Sequence, residues 1–194
     1  MPIRPSIIFA VIWLGWLISW IVAGFWTNRT EKHAATWDVW AYRALIVAGA
    51  LLLFDTTRRV LHEPRLWHVG FTGAYVLAGV TLAGILFAWW ARLHIGRLWS
   101  GSITRKADHY IVDTGPYALV RHPIYTGLIL AIIATAAAQA TITSIVAAVL
   151  ITAGFWLKAH IEERFLTSEL GAEAYGSYRS RVPMLIPLGR ARAR

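Results

Sequence analysis

The chain contains no cysteine and little charge. Without cysteine there is no disulfide, no thiolate metal site and no cysteine nucleophile, and the redox compartment is left undecided. Charged residues make up 15% of the 194 positions, against roughly 25% in soluble domains. That is too few to cover a soluble globule. Acidic residues are scarcest, with ten Asp and Glu against nineteen Lys and Arg, a formal net charge of +9. No internal repeat, low-complexity tract or soluble domain is visible. What abounds is apolar: 57% of residues are hydrophobic, mean hydropathy is +0.53, and eleven are tryptophan. Trp favours membrane–water interfaces. Apolar excess combined with basic excess points to a membrane protein with basic loops and no nucleic-acid partner.

Four apolar runs carry the architecture. Ile7–Trp26 is twenty residues without a charge, a span of ~30 Å at ~1.5 Å per residue. The competing reading, a signal peptide behind Arg4, meets a run longer than the usual ~7–15-residue apolar region. A second, shorter span is Ala44–Phe54 extended back through Trp37–Arg43, with Arg43 snorkelling to the interface. The third is Leu66–Ala91, rich in Ala74, Ala78, Gly79, Ala83 and Gly84, small residues that let helices pack closely. Ile124–Leu157 is 34 residues free of Lys, Arg, Asp, Glu and His. As one helix it would be ~51 Å long, well beyond a bilayer core. It reads instead as a hairpin of two helices of about fifteen residues, turning near Gln139–Ser144.

The charges test that count. With five spans, Arg4, Arg58, Arg59 and Arg65 fall on one side and the other fifteen of nineteen basic residues on the opposite side. With Ile124–Leu157 as one span the division becomes eleven against eight, nearly no bias. The positive-inside rule therefore favours five spans, an outside N-terminus and fifteen basic residues in the cytoplasm. The expected fold class is all-α: a polytopic membrane protein of about five helices, the last two a short hairpin, with a cytoplasmic C-terminal helical segment. Residues 1–91 hold the first three helices. Residues 92–194 hold a cytoplasmic loop, the hairpin at 124–157 and the C-terminal segment.

Only Arg92–Pro123 and Lys158–Arg194 are polar enough to build a site, and in the five-span count both are cytoplasmic. Asp113-Thr-Gly-Pro is turn chemistry. Pro123 suits the first turn of a helix, where its missing N–H costs nothing. That helix start, preceded by Arg121 and His122, is a ready site for a carboxylate or phosphate, with Tyr125 one turn or less inside. A snorkelling anchor with an interfacial tyrosine is the bland alternative. Further on, Lys158 and Glu162 stand four apart, so a local ion pair accounts for Glu162. Glu163 has Ala159 at that spacing and is the stronger site candidate. A carboxylate is poorly placed at a helix C-terminus, so the helix continues past this pair or the pair has cationic partners. Arg190, Arg192 and Arg194 read either as a basic tail beside anionic headgroups or as a solvated terminus.

Gly115-Pro-Tyr, Arg121-His-Pro-x-Tyr-x-Gly127, Glu162-Glu163 and Gly171-x-Glu-x-Tyr-x-x-Tyr178, followed by Val182-Pro-x-x-x-Pro187, resemble the isoprenylcysteine carboxyl methyltransferase family. Gly96-Arg-Leu-Trp-Ser100 and His109-x-x-Val112 fall where that family has similar motifs. The resemblance covers roughly Arg92–Pro187; the first three helices carry no signature. It implies an integral membrane methyltransferase using S-adenosylmethionine without a Rossmann unit. Carried over by position, the cofactor pocket would include His109, Val112, Gly115, Tyr117, His122, Tyr125 and Glu163. Arg121 and Glu163 would be the catalytic pair, with Arg121 gripping an acceptor carboxylate through two parallel hydrogen bonds. The acceptor would be a lipophilic small molecule or a prenylated chain arriving from the membrane lipids, bordered by Trp89, Trp90, Trp99 and Trp156. Methylation could fall on oxygen, nitrogen or sulfur, a prenylated cysteine carboxylate being the leading acceptor and a phospholipid amine or a thiol the others. Membrane sterol reductases, which use NADPH, share a comparable Arg-His-Pro motif but have an Arg-Asp-Glu-like pattern where this chain has Glu162-Glu163. A scaffold or small transporter would place charge inside the spans, and the strongest apolar runs have none.

Overall fold

The computed structural model describes residues 3–27, 30–33, 36–55, 63–100, 104–106 and 111–187. Among these, six α-helices carry the fold: α1 (Pro5–Gly24), α2 (Thr36–Phe54), α3 (Phe71–Ile95), α4 (Pro123–Gln139), α5 (Ile142–Leu170) and α6 (Ala172–Arg181). Five are apolar, and α1, α3 and α5 are long and apolar enough to cross a bilayer. The protein is an all-α polytopic membrane protein. Large apolar side chains are exposed on every long helix, for example Ile18, Leu51, Leu86, Ile133 and Val149. That is the expected outside of a bundle solvated by lipid.

Local chemistry sets the boundaries. Pro5 and Pro123 open α1 and α4. Ala140 adopts a left-handed conformation (φ +58°) at the end of α4. Thr141 then caps α5: its side chain accepts from Ser144 N, and the Ser144 hydroxyl accepts from Thr141 N. This is a reciprocal capping box. The expected turn near Gln139–Ser144 is therefore where the chain reverses.

Two expectations need correction. The second arm of the hairpin is not a short helix ending near Leu157. It runs 29 residues to Leu170, because no helix breaker intervenes before Gly171 (φ +94°) and Glu162 and Glu163 find partners on other elements. The third span begins at Phe71, not Leu66. Leu66 N donates to Ala140 O (2.7 Å) and the Trp67 indole to Ala137 O (3.1 Å), so that stretch lies against the hairpin turn in place of extending the helix. A further element has no helical or alternating signal in its sequence. Thr30–His33 (β1) pairs antiparallel with Thr104–Lys106 (β2), tying the chain after α1 to the loop before the site.

Packing is pairwise, α3 along α4 and α2 along α5. A Cβ on Gly84 would stand 2.5 Å from Gly127 O, and one on Gly127 2.4 Å from Gly84 O. The backbones touch there because neither residue has a side chain. α1 buries none of its residues. It joins the bundle through the Trp13 indole, which donates to Thr135 Oγ1 (3.0 Å), and through ring contacts from Trp16 to Trp20 and on to Trp89 and Trp99.

Candidate active site

The site lies where α4 begins. Gly115–Ala118 forms a 3-10 turn with Gly115 at φ +57°, a conformation that favours glycine. A Cβ there would stand 2.7 Å from His94 Cε1. His94 also contacts Thr114 Oγ1 through Nε2 (2.9 Å) and stacks on Tyr117. The turn is thus fitted to the end of α3. The C-terminal segment closes it from the other side. Tyr178 OH donates to Tyr117 O (2.8 Å), Arg121 N to Pro183 O (2.9 Å), His122 N to Met184 O (3.1 Å) and Thr126 Oγ1 to Leu185 O (2.7 Å). The two polar segments of the sequence are therefore one structure.

Charge inside it is paired. Arg121 Nε donates to Glu163 Oε1 (2.7 Å), and His122 Nε2 lies 3.2 Å from the same oxygen. Arg179 Nε is 3.5 Å from Glu163 Oε2. Arg121 Nη1 also donates to the carbonyls of Arg179 and Val182. Glu163 is 3% exposed, so this is a buried network joining α4, α5 and α6. The adjacent Glu162 accepts from Tyr125 OH through Oε2 (2.6 Å), and the same oxygen lies 3.9 Å from His122 Nδ1. Tyr125 is stacked between His122 (5.3 Å, 4° between planes) and Phe155 (5.1 Å). Lys158 Nζ sits over the rings of Tyr125 and Tyr42 at 5.2 and 5.5 Å.

A cavity of about 100 Å³ opens between these elements. Val112, Tyr117, Arg121, His122 and Tyr125, all expected from sequence, line it. Gly115 shapes its turn. Glu163 is not among the lining residues; it stands behind Arg121 and His122. His109 lies outside the described residues, as do Arg58, Arg59 and the Arg190–Arg194 tail. Sequence reasoning passed over Glu162, which lines the cavity, because Lys158 one turn before offered it a local partner. The available signal was its neighbour on the same helix face, Leu166, also in the wall. Of the four tryptophans expected at the entry, Trp99 lines the cavity, Trp89 packs on Trp20, and Trp90 and Trp156 are exposed outward. Burial pushes the phenols of Tyr117, Tyr175 and Tyr178 above their ordinary range, so they remain neutral donors at physiological pH. The charge facing the cavity is carried by Arg121, Glu162 and, when protonated, His122.

Residues 76–168, just under half the chain, match the family model of the isoprenylcysteine carboxyl methyltransferase (ICMT) family. That segment is similar to the ICMT family. It begins within α3 and ends in α5, so it contains the Gly84–Gly127 contact, the turn at Gly115 and the Arg121–Glu163 pair. Three curated relatives are similar over part of their length. A methanethiol S-methyltransferase of a Pseudomonas species is 42% identical over 71 residues, 37% of this chain and 26% of that protein. The protein-S-isoprenylcysteine O-methyltransferase of Schizosaccharomyces pombe is 35% identical over 88 residues, 43% of this chain and 36% of that one. Methanethiol S-methyltransferase 2 of Bradyrhizobium diazoefficiens is 44% identical over 78 residues, 40% and 29% of the two chains. The matches thus span between a quarter and somewhat over a third of these relatives.

Proposed function

We propose that the chain is an S-adenosylmethionine-dependent methyltransferase that works at the cytoplasmic face of the membrane on a lipophilic acceptor, the leading one an isoprenylcysteine-like carboxylate. The observation that carries this reading is a single cavity, lined by the family-matched segment together with Tyr175 and Tyr178, that presents a carboxylate, a guanidinium, an imidazole and several aromatic rings together.

The donor set fits the cofactor's chemistry. Glu162 suits its cationic groups or ribose hydroxyls as an acceptor. His122, Arg121 and the start of α4 suit its carboxylate, and Trp99 and Tyr117 offer aromatic surface for an adenine ring. The enclosed volume is below the ~300–1,000 Å³ of typical small-molecule sites, so binding requires these lining side chains to part. When bound, the cofactor supplies an electrophilic methyl group on a sulfonium. The chain's own residues would align the acceptor and exclude water. A carboxylate acceptor, with a reference pKa near ~4, is already ionised at neutral pH. Arg121 spends Nε on Glu163 and Nη1 on two carbonyls, which leaves Nη2 for it. The grip is then one hydrogen bond and not the two that sequence reasoning assigned. Glu163 acts as a positioning residue that holds Arg121 and His122.

A thiol acceptor is the second reading, favoured by Glu162 on the wall and by the names of two relatives. The S–H proton would pass to His122 or Glu162 as sulfur takes the methyl group. The test is equilibrium binding to detergent-purified protein. S-adenosylmethionine should bind and NADPH should not; the reverse result, as for a sterol-reductase-like site, would overturn the proposal.

A further inference from the structure

Among the described residues Arg92 is the largest fully buried side chain, at 0% exposure, in the last turn of a largely apolar helix. Burying a cation is costly unless it is hydrogen-bonded. No carboxylate pairs with it among the described residues. Its Nη2 donates to Ala23 O (2.7 Å) and Trp26 O (2.9 Å), and Nη1 to Gly96 O (2.7 Å). The first two are carbonyls at the end of α1; the third lies just past the end of α3. A guanidinium at helix C-termini meets the negative end of each dipole. Its plane is also held by rings, with Trp99 at 4.5 Å and Trp26 at 5.3 Å from Cζ. Trp99 lines the cavity together with Ile95 and Leu98. Thr27 Oγ1 bonds to Trp99 O (2.7 Å) from the same side.

From this geometry we infer that Arg92 is a positioning residue. It latches the end of α1 onto the Ile95–Trp99 wall and so sets the ring of Trp99 against the cavity. α1 buries nothing of its own and lies outside the matched segment, yet through this latch it belongs to the site. Lysine has one donor centre and no planar fork, so it cannot bond carbonyls of both helices and stack on Trp99 at once. The functional consequence rests on the methyltransferase reading; the structural claim does not.

The absence of native cysteine permits a test of both. Val112 lines the cavity, and V112C provides a single thiol whose rate of modification by N-ethylmaleimide reports cavity access. Adding R92M should raise that rate severalfold, and adding R92K should give an intermediate value. W26L, at a half-exposed position, should shift it in the same direction even if R92M fails to accumulate. In the native background R92K should raise the KM for S-adenosylmethionine more than it lowers kcat. R92M should lower kcat/KM by up to ~10²-fold, the scale of a small misplacement of a site wall. Arg4→Gln, at the far end of α1, should change neither readout. If thiol access is unchanged in R92M and W26L, the latch is wrong. If access changes but the native protein transfers no methyl group, the latch stands and the proposed function falls.

Discussion

Replacing Glu163 and Glu162 separately should give opposite phenotypes, although the two residues are adjacent. Glu163 is 3% exposed and its partner Arg121 has an 8% exposed side chain. Glu163→Ala leaves that guanidinium with only the Arg179 and Val182 carbonyls. Breaking a buried pair by removing one partner costs ~3–5 kcal/mol, a large share of a typical total stability of ~5–15 kcal/mol. Glu163→Gln keeps one oxygen for Arg121 Nε but turns an amide donor toward His122 or Arg179, and should cost ~1.5–3 kcal/mol, the worth of a charged hydrogen bond. Glu162 has a 29% exposed side chain and one named bond, from Tyr125 OH. The amide of Glu162→Gln can still accept that bond, so the fold should lose ~1 kcal/mol or less. Its loss appears in binding: the same charged-bond range corresponds to about 10- to 150-fold weaker affinity for S-adenosylmethionine. Unfolding in detergent gives the first quantity, equilibrium dialysis with labelled cofactor the second. A Glu163→Gln protein as stable as the parent would refute the buried network. A Glu162→Gln protein with unchanged affinity would remove Glu162 from the binding wall.

Other outcomes follow from single contacts. Gly115→Ala should destabilise by at least the ~1–2 kcal/mol of a left-handed alanine, because its Cβ also meets His94; chemical or thermal unfolding measures it. Gly127→Val should prevent assembly of α3 on α4, seen as loss of the native peak in size-exclusion chromatography, since even a Cβ there falls 2.4 Å from Gly84 O. Tyr178→Phe removes the donor to Tyr117 O and should cost ~1–3 kcal/mol in an unfolding titration. Tyr117, Tyr175 and Tyr178 carry phenol pKa values raised in the folded state, so they keep their protons longer folded than unfolded. Their contribution is therefore full below pH ~10 and is lost as pH rises beyond it; melting curves from pH 7 to 11 should be flat and then fall.

The fold was legible in sequence wherever one signal dominated. The hairpin turn followed from polar residues inside an uncharged run, and the start of α4 from Arg-His-Pro. Boundaries set by tertiary contact were not. Leu66–Gly70 are as apolar as the helix they precede, and only the hydrogen bonds to the Ala137 and Ala140 carbonyls hold them out of it. The length of α5 stayed open because the carboxylate pair allowed either a longer helix or cationic partners, and the structure has both. Within the site, residue types were readable and directions were not. Adjacent positions on a helix point about 100° apart, so Glu162 meets Tyr125 and Glu163 meets Arg121 with His122 between them, and only the fold shows which carboxylate meets the cavity. Arg92 gave no sign, because a basic residue near the end of a membrane helix ordinarily snorkels.

Methyl transfer itself is measured with labelled S-adenosylmethionine and the detergent-purified chain, across lipophilic acids, amines and thiols. Saturable transfer is expected to a prenylcysteine-like acid with a rate that is flat above pH ~6, or to a thiol with a rate that climbs toward the reference thiol pKa of ~8.5. In either case transfer should fall with Glu162→Gln. No transfer to any acceptor, from protein that is folded and exposed to the cofactor, would contradict the proposed function.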